Sequence, residues 1–437
     1  MLVKNNLFLS LVQISFYFLP ISLIIGSLIV NINILIFLLL GSIYLINSKI
    51  IVNFNLTNTT LLLFFLTVII STLINIETLG IENFMKSIFL LKFFLIYILL
   101  ETLILNDKIN IQYFFNICLG LIIFVSADLA LQFFSGKNIL GYQPWEGRIT
   151  GIFEHEAIAG AFIQKIFIFS LISIFMILHS KVKARNLLQT IFFIIIIFGS
   201  FVASNRISFV ILISLIFFII IFYKSFRKNL LISLIVLIPV VSFSYKFDPQ
   251  INHKYQDFIN KVKKMGITTS ALTNAGSKKE KASSKSNKAS SGSNHGKIYL
   301  TTVISFNESK LLGHGLKSFR INCRKFLDQK NTLCSTHPHN YHLEILHDTG
   351  IIGFCLISIF AFLLLFSKYK NLRFSSLNQT EKIIISLLAL NFMIEIFPIK
   401  STGSLFTTWN GTLLWLSIAL VNYGNKKITK NEKTTNH

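Results

Sequence analysis

Charged residues are scarce in this chain, making up 14% of its 437 residues, while 53% are hydrophobic. An average soluble domain is about 25% charged, so a soluble fold would have too few charges to cover its exterior. The same composition excludes an intrinsically disordered or collagen-like chain. Acidic residues are scarcest, at 18 Asp and Glu against 41 Lys and Arg. The resulting net charge of +23 would indicate a nucleic-acid partner only if it lay on a soluble surface.

Long apolar runs recur along almost the whole chain. A membrane-spanning helix needs about 20 mostly apolar residues. The sequence therefore predicts an all-α polytopic membrane protein with about 12 transmembrane helices. No Walker-type loop or internal repeat is found, and the first run lacks a cleavage site for a signal peptide. The predicted spans lie near residues 7–28, 30–47, 60–76, 84–104, 112–134, 157–178, 188–203, 207–223, 230–245, 348–366, 383–399 and 409–423.

The distribution of basic residues predicts the orientation. An N-terminal membrane domain of about nine transmembrane helices covers residues 1–245, a large outer loop covers 246–347, and about three further helices occupy 348–423 before a tail at 424–437. Cytoplasmic connections are rich in Lys and Arg, and the short basic connections fall on one side together with both termini. We therefore expect cytoplasmic termini. The basic residues are Lys4, Lys181, Lys183, Arg185, Lys224, Arg227, Lys228, Lys368, Lys370, Arg373, Lys426, Lys427, Lys430 and Lys433.

The outer loop changes composition along its length. Its middle, Gly276 to Gly296, is a low-complexity Lys/Ser/Asn stretch, which predicts a flexible insert because it cannot bury a core. Phe247 to Met265 is expected to form an amphipathic helix, and Ile298 to Phe326 a helix-turn unit. Cys323 and Cys334 lie after the insert. A disulfide between them is favoured over two free thiols if this side is oxidising.

Four of the ten histidines fall within eleven residues at the membrane end of this loop: His337, His339, His342 and His347. A neutral imidazole accepts a proton near physiological pH, so a general base is one interpretation. A metal site at His337, His339 and His342 is the second, although their spacing does not match a standard zinc pattern. A solvated interfacial turn is the third.

Three arginines share the predicted outer side, where the positive-inside bias disfavours them. They are Arg148, Arg206 and Arg320. The planar guanidinium pairs bidentately with phosphate, which predicts an anionic ligand. A snorkelling interfacial side chain is the alternative for Arg206. Glycines 313 and 315 are expected to make a turn rather than a phosphate cradle.

Charged residues inside the predicted spans are candidates for function, because placing a charge inside a bilayer costs free energy. Lys92, Asp128, Lys165 and Glu395 are of this kind. A purely structural alternative is a satisfied interhelical pair, for example between Lys92 and Asp128. A transporter would use such charges as a relay.

Together these segments resemble the O-antigen ligase and O-antigen polymerase family of bacterial inner-membrane glycosyltransferases. The core of the resemblance is His339-Asn340, then nine residues, then Gly350-Ile351-Ile352-Gly353. Weaker similarity covers Arg148 to Phe162, the hairpin with Arg206, Leu311 to Cys323 and Phe397 to Leu416.

The resemblance implies transfer of a glycan from an undecaprenyl-pyrophosphate carrier to an acceptor hydroxyl at the periplasmic face of the inner membrane. The reaction it implies is inverting and needs no metal or cofactor. The partners are the donor lipid, the bilayer and a lipid A-core or glycan acceptor, with no nucleic acid. Ligation to lipid A-core is the leading interpretation. A polymerase or a protein O-oligosaccharide ligase of the same family stays open, as does, more distantly, a transporter of lipid-linked oligosaccharides.

The resemblance also implies roles for single residues. His339 would be the general base, and Arg206 would hold the pyrophosphate with help from Arg148 or Arg320. Asn340 or Glu344 would orient the imidazole. Further candidates are Lys317, His337 and Asn340 for binding the donor, and Glu344 and His342 as supporting residues.

Two positions depart from the family pattern. Val210 stands where the family commonly has Leu, four residues after the hairpin arginine. The family often has a further loop arginine before the Gly-x-Gly stretch, and here that neighbourhood holds His295 and Lys297. The second phosphate ligand would then be Arg320 or Lys317.

Overall fold

The computed structural model describes residues 2–178, 182–203, 205–247, 256, 260, 294–370, 378–398 and 400–435. These residues form α-helices and two short 3-10 helices, with no β-strand among them. The helices are α1 (Leu2–Ile25), α2 (Ser27–Asn47), α3 (Leu56–Ile74), α4 (Ile76–Phe89), α5 (Leu91–Leu105), α6 (Ile111–Ser135), α7 (Ala159–Ile177), α8 (Val182–Val202), α9 (Arg206–Phe222), α10 (Lys224–Phe247), α11 (Asn294–Phe306), α12 (Phe319–Asn322), α13 (Tyr341–Lys370), α14 (Gln379–Glu395) and α15 (Thr408–Thr435), with 3-10 helices at Gly151–Phe153 and Cys323–Phe326.

Every predicted apolar run falls on a helix, which confirms the all-helical architecture of a membrane protein with several spans. Within the described ranges, 8 helical segments are long and apolar enough to cross a bilayer. Two shorter apolar helices, Asn186–Val202 and Arg206–Phe222, accompany them. The predicted number of twelve spans is therefore not confirmed. The 8 segments are Asn6–Ile25, Ser27–Asn47, Leu56–Ile74, Ile76–Leu105, Ile111–Ser135, Ala159–Ile177, Lys224–Ser242 and Tyr341–Phe366.

Asparagines start several of these helices. The side chains of Asn55, Asn110, Asn205 and Asn378 each accept a hydrogen bond from a backbone N–H of the first turn. This N-cap satisfies a donor that has no partner within the helix. The abundance of Asn in this chain thus has a local structural use at the helix ends.

Phenylalanines fill the bundle core. Phe16 stacks on Phe114 with ring centroids 4.9 Å apart, and Phe114 meets Phe169 edge to face at 5.6 Å. All three rings are fully buried. Such pairs join α1, α6 and α7 through offset and edge-to-face contacts, the geometries that aromatic quadrupoles favour.

Two predicted features of the outer loop lie largely outside the described residues: the amphipathic helix over Phe247 to Met265 and the insert over Gly276 to Gly296. Ser204, in the hairpin before Arg206, also lies outside them. The chain is described again from Asn294, where α11 begins. The cytoplasmic position of the termini and the domain boundaries stay predictions.

Candidate functional site

Three histidines from two parts of the chain meet at the start of α13. We call His295, His337 and His339 the histidine cluster. The ring of His339 lies 4.1 Å from that of His337 and 5.2 Å from that of His295, centroid to centroid. His339 has a left-handed backbone (φ 58°), and its Nε2 lies 3.1 Å from Ser335 Oγ. Three imidazoles thus lie together, and one of them, that of His339, contacts the Ser335 hydroxyl.

The surroundings of the cluster favour uncharged rings. Burial lowers the pKa of His339, and the nearby His295 lowers it further. Burial lowers the pKa of His337 to about 4, with a further contribution from His339. His337 Nε2 and His295 Nδ1 are buried and have no hydrogen-bond partner in the described part of the chain. A neutral imidazole at this place can accept a proton.

Asn340 fixes the backbone of the histidine loop. Its Oδ1 accepts a hydrogen bond from the first turn of α13 at 3.1 Å. Its Nδ2 donates to the carbonyl oxygens of Pro398 (2.6 Å) and Lys400 (3.3 Å). The N–H of Thr402 donates in turn to the carbonyl of His339 at 2.9 Å. The loop after α14 thus holds the loop that carries His339.

Glu344 is buried and bound to a different loop. Its carboxylate accepts hydrogen bonds from the Ser404 hydroxyl and, at 2.7 Å, from the Leu405 N–H. Both carboxylate oxygens are therefore engaged with the segment before α15, just as the amide of Asn340 is engaged with residues 398–400. The His339 ring is instead hydrogen-bonded to Ser335. Ser335 is not among the candidate residues selected from the sequence.

His342 turns toward α14 rather than toward the cluster. Its Nε2 lies 2.6 Å from the Ile396 carbonyl oxygen, and its ring meets Phe354 edge to face at 6.1 Å. The sequence analysis considered His337, His339 and His342 as a metal site. In the structure His337 and His339 lie together, whereas His342 lies apart from them. His342 instead helps to join α13 to the end of α14.

A buried group of three charges lies behind this loop. Glu395 accepts a hydrogen bond from Lys165 and another from Lys400 at 3.0 Å. All three side chains are buried, and Gln164 Nε2 adds a contact at 3.4 Å. We call Lys165, Glu395 and Lys400 the lysine–glutamate triad. It joins α7 to α14 and to the loop after α14, which Asn340 contacts. With two cations and one anion, it carries a net charge of +1.

The Gly-x-Gly segment at residues 313–315 docks on a break in α13. At Gly350 the helix has a non-helical backbone (φ 65°, ψ −167°), which releases carbonyl and N–H groups from the helical ladder. Four main-chain hydrogen bonds use these groups. They run from His314 to the His347 carbonyl (3.0 Å), from Gly315 to Asp348 (2.9 Å), from Ile351 to Lys310 (2.8 Å) and from Ile352 to Leu311 (3.3 Å).

Glycine is required at this break. Gly350 has a backbone conformation that is nearly exclusive to glycine, and a Cβ there would collide with the Leu311 carbonyl. A Cβ at Gly313 would lie 2.5 Å from the Gly350 nitrogen. Gly315 also has a positive φ, at 86°. The turn expected for residues 313–315 is thus formed, and its partner is the glycine that follows His339-Asn340 at the spacing noted in the sequence.

Buried polar groups secure this dock from the inside. His347 Nδ1 lies 2.9 Å from Asp348 Oδ1, and its Nε2 lies 3.0 Å from Ser305 Oγ on α11. The ring of His314 stacks on His347 at 4.9 Å. Asp348 Oδ2 accepts the N–H of Lys317 at 2.7 Å. His347 is therefore a packing residue in the interior. Through its contact with Asp348 it also helps to position Lys317.

Arg320 lies within electrostatic range of His337 in the histidine cluster and of Lys317. Burial lowers the pKa of Lys317, and the charge of Arg320 lowers it further. Arg320 also acts on the pKa of His337, so its guanidinium lies within electrostatic range of the cluster. The side chain of Arg320 is exposed and accessible to a ligand. The structure thus brings together two of the predicted phosphate-binding cations and the candidate base.

Arg148 and Arg206 lie on other elements. Arg148 is exposed at the end of a tight turn in which it exchanges two main-chain hydrogen bonds with Trp145, at 2.8 and 3.0 Å. Arg206 is half-buried and opens α9, directly after the N-cap Asn205. Asn205 packs against Gly160 in the first turn of α7. Lys165 of the triad is five residues after Gly160 on α7, about 7.5 Å along the helix axis. Arg206 and the triad are therefore both near the N-terminal end of α7.

The pairing considered for Lys92 and Asp128 is wrong. Lys92 Nζ donates instead to Asn31 Oδ1 at 2.6 Å and lies 3.5 Å from Thr408 Oγ1. Asp128 Oδ1 accepts the N–H of Ile139 at 2.8 Å. Asp128 thus organises the loop after α6, whereas Lys92 is surrounded by neutral partners.

Cys323 and Cys334 are joined by a disulfide, with Cα atoms 5.1 Å apart. Cys334 immediately precedes Ser335, the hydrogen-bond partner of His339. The bridge therefore ties the start of the histidine loop to the 3-10 helix that follows Arg320. Cys118 and Cys355 are free.

Sequence reasoning missed three contributors to the site: His295 and Ser335 at the cluster, and Lys400 in the triad. His295 lies at the end of a low-complexity stretch, where a single histidine gives little signal. Lys400 follows its partner Glu395 by 5 residues, but Lys165, the other cation bound to Glu395, is 230 positions away from it in the sequence. Contacts of this range have no periodic signature along the chain.

A cavity of about 370 Å³ lies elsewhere in the bundle. It is lined by the α5–α6 connection, by Gln13 of α1, by Met176 at the end of α7 and by Tyr423 of α15. The histidine cluster and Arg206 belong to the opposite end of α7. This cavity is therefore separate from the candidate base.

The comparisons with known proteins agree with the resemblance. Residues 190–358 match the family described as O-antigen ligase, a stretch that contains Arg206, Lys317, Arg320 and the whole histidine cluster. A search of curated proteins finds no match. The match to residues 190–358 confirms the resemblance recognised from His339-Asn340 and its glycine spacing, and this part of the chain is similar to the O-antigen ligase family.

Proposed function

We propose that this protein transfers a glycan from undecaprenyl pyrophosphate to an acceptor hydroxyl on lipid A-core at the periplasmic face of the bacterial inner membrane. The observation that carries the proposal is the position of His339. A partly buried imidazole whose pKa is lowered packs against His337, on which the charge of Arg320 acts, within the stretch that matches the O-antigen ligase family.

His339 acts as the general base. Its neutral ring removes the proton from the acceptor hydroxyl as that oxygen attacks the anomeric carbon of the donor sugar. The new bond joins the acceptor oxygen to the anomeric carbon, and the bond from that carbon to the pyrophosphate oxygen breaks. Because burial lowers the pKa of His339, the ring is neutral and the base is available at physiological pH.

The cations bind the leaving group. Negative charge develops on the pyrophosphate as its bond to the sugar breaks, and fixed cations stabilise that charge. We assign this role to Arg320, which lies within electrostatic range of His337, and to Lys317 and Arg206, with Arg148 as a further cation on the exposed turn after α6. Pyrophosphate is already a good leaving group, so the reaction does not require a general acid. Neither a metal nor a cofactor takes part.

The supporting residues hold the base in place. Asn340 fixes the loop backbone through the residue 398–400 segment, Glu344 holds the segment before α15, and His342 joins α13 to α14. His337 packs against His339 and keeps its surroundings poorly solvated. Positioning of this kind matters because small displacements of a reacting group cost large factors in rate.

The test is reconstituted transfer with lipid-linked glycan and lipid A-core. His339→Gln should reduce the rate by about 10²–10⁴-fold, and Arg206→Gln should reduce it through weaker binding of the leaving group. Surface-polysaccharide gels of a deletion strain that carries each variant give the matching cellular readout. The product identifies the acceptor, because a ligase adds glycan to lipid A-core and a polymerase lengthens the lipid-linked glycan.

Two variants serve as matched controls. His155→Gln changes an exposed histidine outside the cluster, and Arg324→Gln changes an exposed arginine near Arg320. Both should leave transfer unchanged. If His339→Gln and Arg206→Gln are made at normal levels and transfer glycan at the rate of the unaltered protein, the proposal is wrong.

A further inference from the structure

Ser335 contacts the ring of the candidate base. Its Oγ lies 3.1 Å from Nε2 of His339, and its side chain is half-buried. The main chain of His339 is already held, because its carbonyl oxygen accepts the N–H of Thr402 at 2.9 Å and the next residue, Asn340, binds the loop after α14. Rotation of the side chain is the freedom that remains to the imidazole. The Ser335 hydroxyl restrains this rotation, since it engages one of the two ring nitrogens.

The disulfide anchors Ser335. Cys334 directly precedes the serine, and the bridge joins it to Cys323. Cys323 Sγ lies 3.7 Å from the Ser335 carbonyl oxygen, so the bridge contacts the serine as well as its neighbour. The N–H of Leu333 donates to Thr301 Oγ1 of α11 at 2.9 Å. This short segment is therefore held by α11 on one side and by the 3-10 helix that contains Cys323 on the other.

A small apolar cluster surrounds the bridge. Its members are Ile298, Phe319 and Cys323, with Leu333 and Cys334 packed against them. Ile298 follows His295 by about one turn of α11. The cluster that places Ser335 at the ring of His339 thus also places His295 there. Two contacts on the candidate base come from one structural unit.

The Ser335 contact bears on which ring nitrogen can act as the base. A neutral imidazole carries a proton on one nitrogen and a lone pair on the other. If Ser335 donated to Nε2, the hydroxyl would occupy the lone pair that the reaction needs. If Ser335 instead accepts the Nε2–H, the lone pair of Nδ1 is free to take a proton. The hydrogen bond at one nitrogen sets the state of the other, and a base requires the second arrangement.

We propose that Ser335 is a positioning residue of the transfer reaction, whose hydroxyl oxygen accepts the Nε2–H of His339 and leaves Nδ1 as the nitrogen that removes the proton. The inference rests on the proposed function, because it assigns a partner to the base of that reaction. The proton passes from the acceptor hydroxyl to Nδ1 as the acceptor oxygen bonds to the anomeric carbon and the pyrophosphate leaves. The ring then has an N–H on both nitrogens, and Ser335 Oγ stabilises its positive charge. The disulfide acts through Ser335, by holding this oxygen at Nε2.

The test compares Ser335→Ala and Ser335→Thr in the reconstituted transfer assay, per amount of folded protein. Ser335→Ala should lower kcat about tenfold or more, because the ring is no longer held, and leave KM for the donor unchanged. Ser335→Thr keeps a hydroxyl and should keep most of the rate. The acid limb of kcat/KM against pH should move to lower pH in Ser335→Ala, because the lost hydrogen bond favours the charged ring. A merely structural loss would not move this limb.

The bridge is tested by Cys323→Ala and Cys334→Ala, made together. This variant should lose transfer for the same reason as Ser335→Ala. Adding Ser335→Ala to it should therefore cost less than the product of the two separate fold-changes. Thr332→Val is the matched control, because it removes a hydroxyl of the bridged loop that donates to the Phe326 carbonyl at 2.6 Å. It should transfer glycan at the normal rate.

The proposal is overturned if Ser335→Ala transfers glycan at the rate of the unaltered protein, or if Ser335→Thr is as slow as Ser335→Ala. Fold-changes that multiply in the bridge series would overturn the action of the disulfide through Ser335. His339→Gln is measured in the same assay. If it is slow while Ser335→Ala is normal, the positioning role fails and the transfer function stands. If His339→Gln itself transfers at the normal rate, the proposed function fails.

Discussion

The imidazole rings of His295 and His339 meet edge to face, with an interplanar angle of 85° and centroids 5.2 Å apart. His295 comes from α11 and His339 from the loop before α13. The contact brings the end of the low-complexity stretch to the candidate base. The charge of His295 therefore opposes protonation of His339.

The first prediction concerns the pH dependence of transfer. A base works in its neutral form, which is present above its pKa, so the acid limb of kcat/KM against pH reports the pKa of His339. Burial and His295 lower that pKa. His295→Gln removes one cause, so the pKa should rise and the acid limb should move to higher pH. His155→Gln should leave the limb in place. An unchanged limb, or one at lower pH, in His295→Gln would contradict the assignment of His339 as base.

The second prediction concerns the lysine–glutamate triad. Glu395→Gln leaves two buried ammonium groups without their counter-ion, so we expect a loss of about 3–5 kcal/mol in the free energy of unfolding. The triple variant Lys165→Met, Glu395→Leu, Lys400→Met should recover most of that loss, since an apolar replacement leaves no unpaired charge. Thermal unfolding in detergent measures both.

Glu82→Gln is the control for this series, because its pair with Lys86 is solvent-exposed and should contribute nothing measurable. Equal stability of Glu395→Gln and the unaltered protein would mean that the triad does not hold α7 to the loop after α14.

The third prediction concerns Gly350. Alanine at this position must adopt a backbone conformation nearly exclusive to glycine and would collide with the Leu311 carbonyl. We expect a loss of about 3 kcal/mol or more, together with faster proteolysis at residues 310–315. Gly120→Ala is the matched control, because nothing lies within 4 Å of the added Cβ and it should stabilise the helix by about 0.4–1 kcal/mol. Equal stability of the two variants would show that the dock is not required.

The fourth prediction concerns the disulfide. In the unfolded, unreduced protein, Cys118 and Cys355 should react with a polyethylene-glycol maleimide, and after reduction all 4 cysteines should react. Cys323→Ser should expose Cys334 before reduction. Loss of the bridge should reduce stability by about 2–4 kcal/mol. Four adducts before reduction would argue against both the bridge and an oxidising location of the loop.

The helices of this protein could be predicted from the sequence because each apolar run is a local signal. Glycines 313 and 315 likewise predicted a turn. The partner of that turn was not predictable, since a helix break at Gly350 has no periodic signature inside an apolar run. The pairing of Lys165 with Glu395 and the contact of His295 with His339 depend on tertiary packing. Lys92 shows the limit most clearly, because a plausible partner in the sequence, Asp128, organises a different loop.

The dock between residues 310–315 and the broken helix α13 uses main-chain atoms on both sides. Main-chain recognition does not depend on side-chain identity, apart from the glycines that permit the close approach. The side chains of Lys310, Leu311 and Leu312 are therefore free to diversify without displacing the loop that carries His339. A protein built this way can change the surface at residues 310–312 while the geometry of the loop that carries His339 is inherited unchanged.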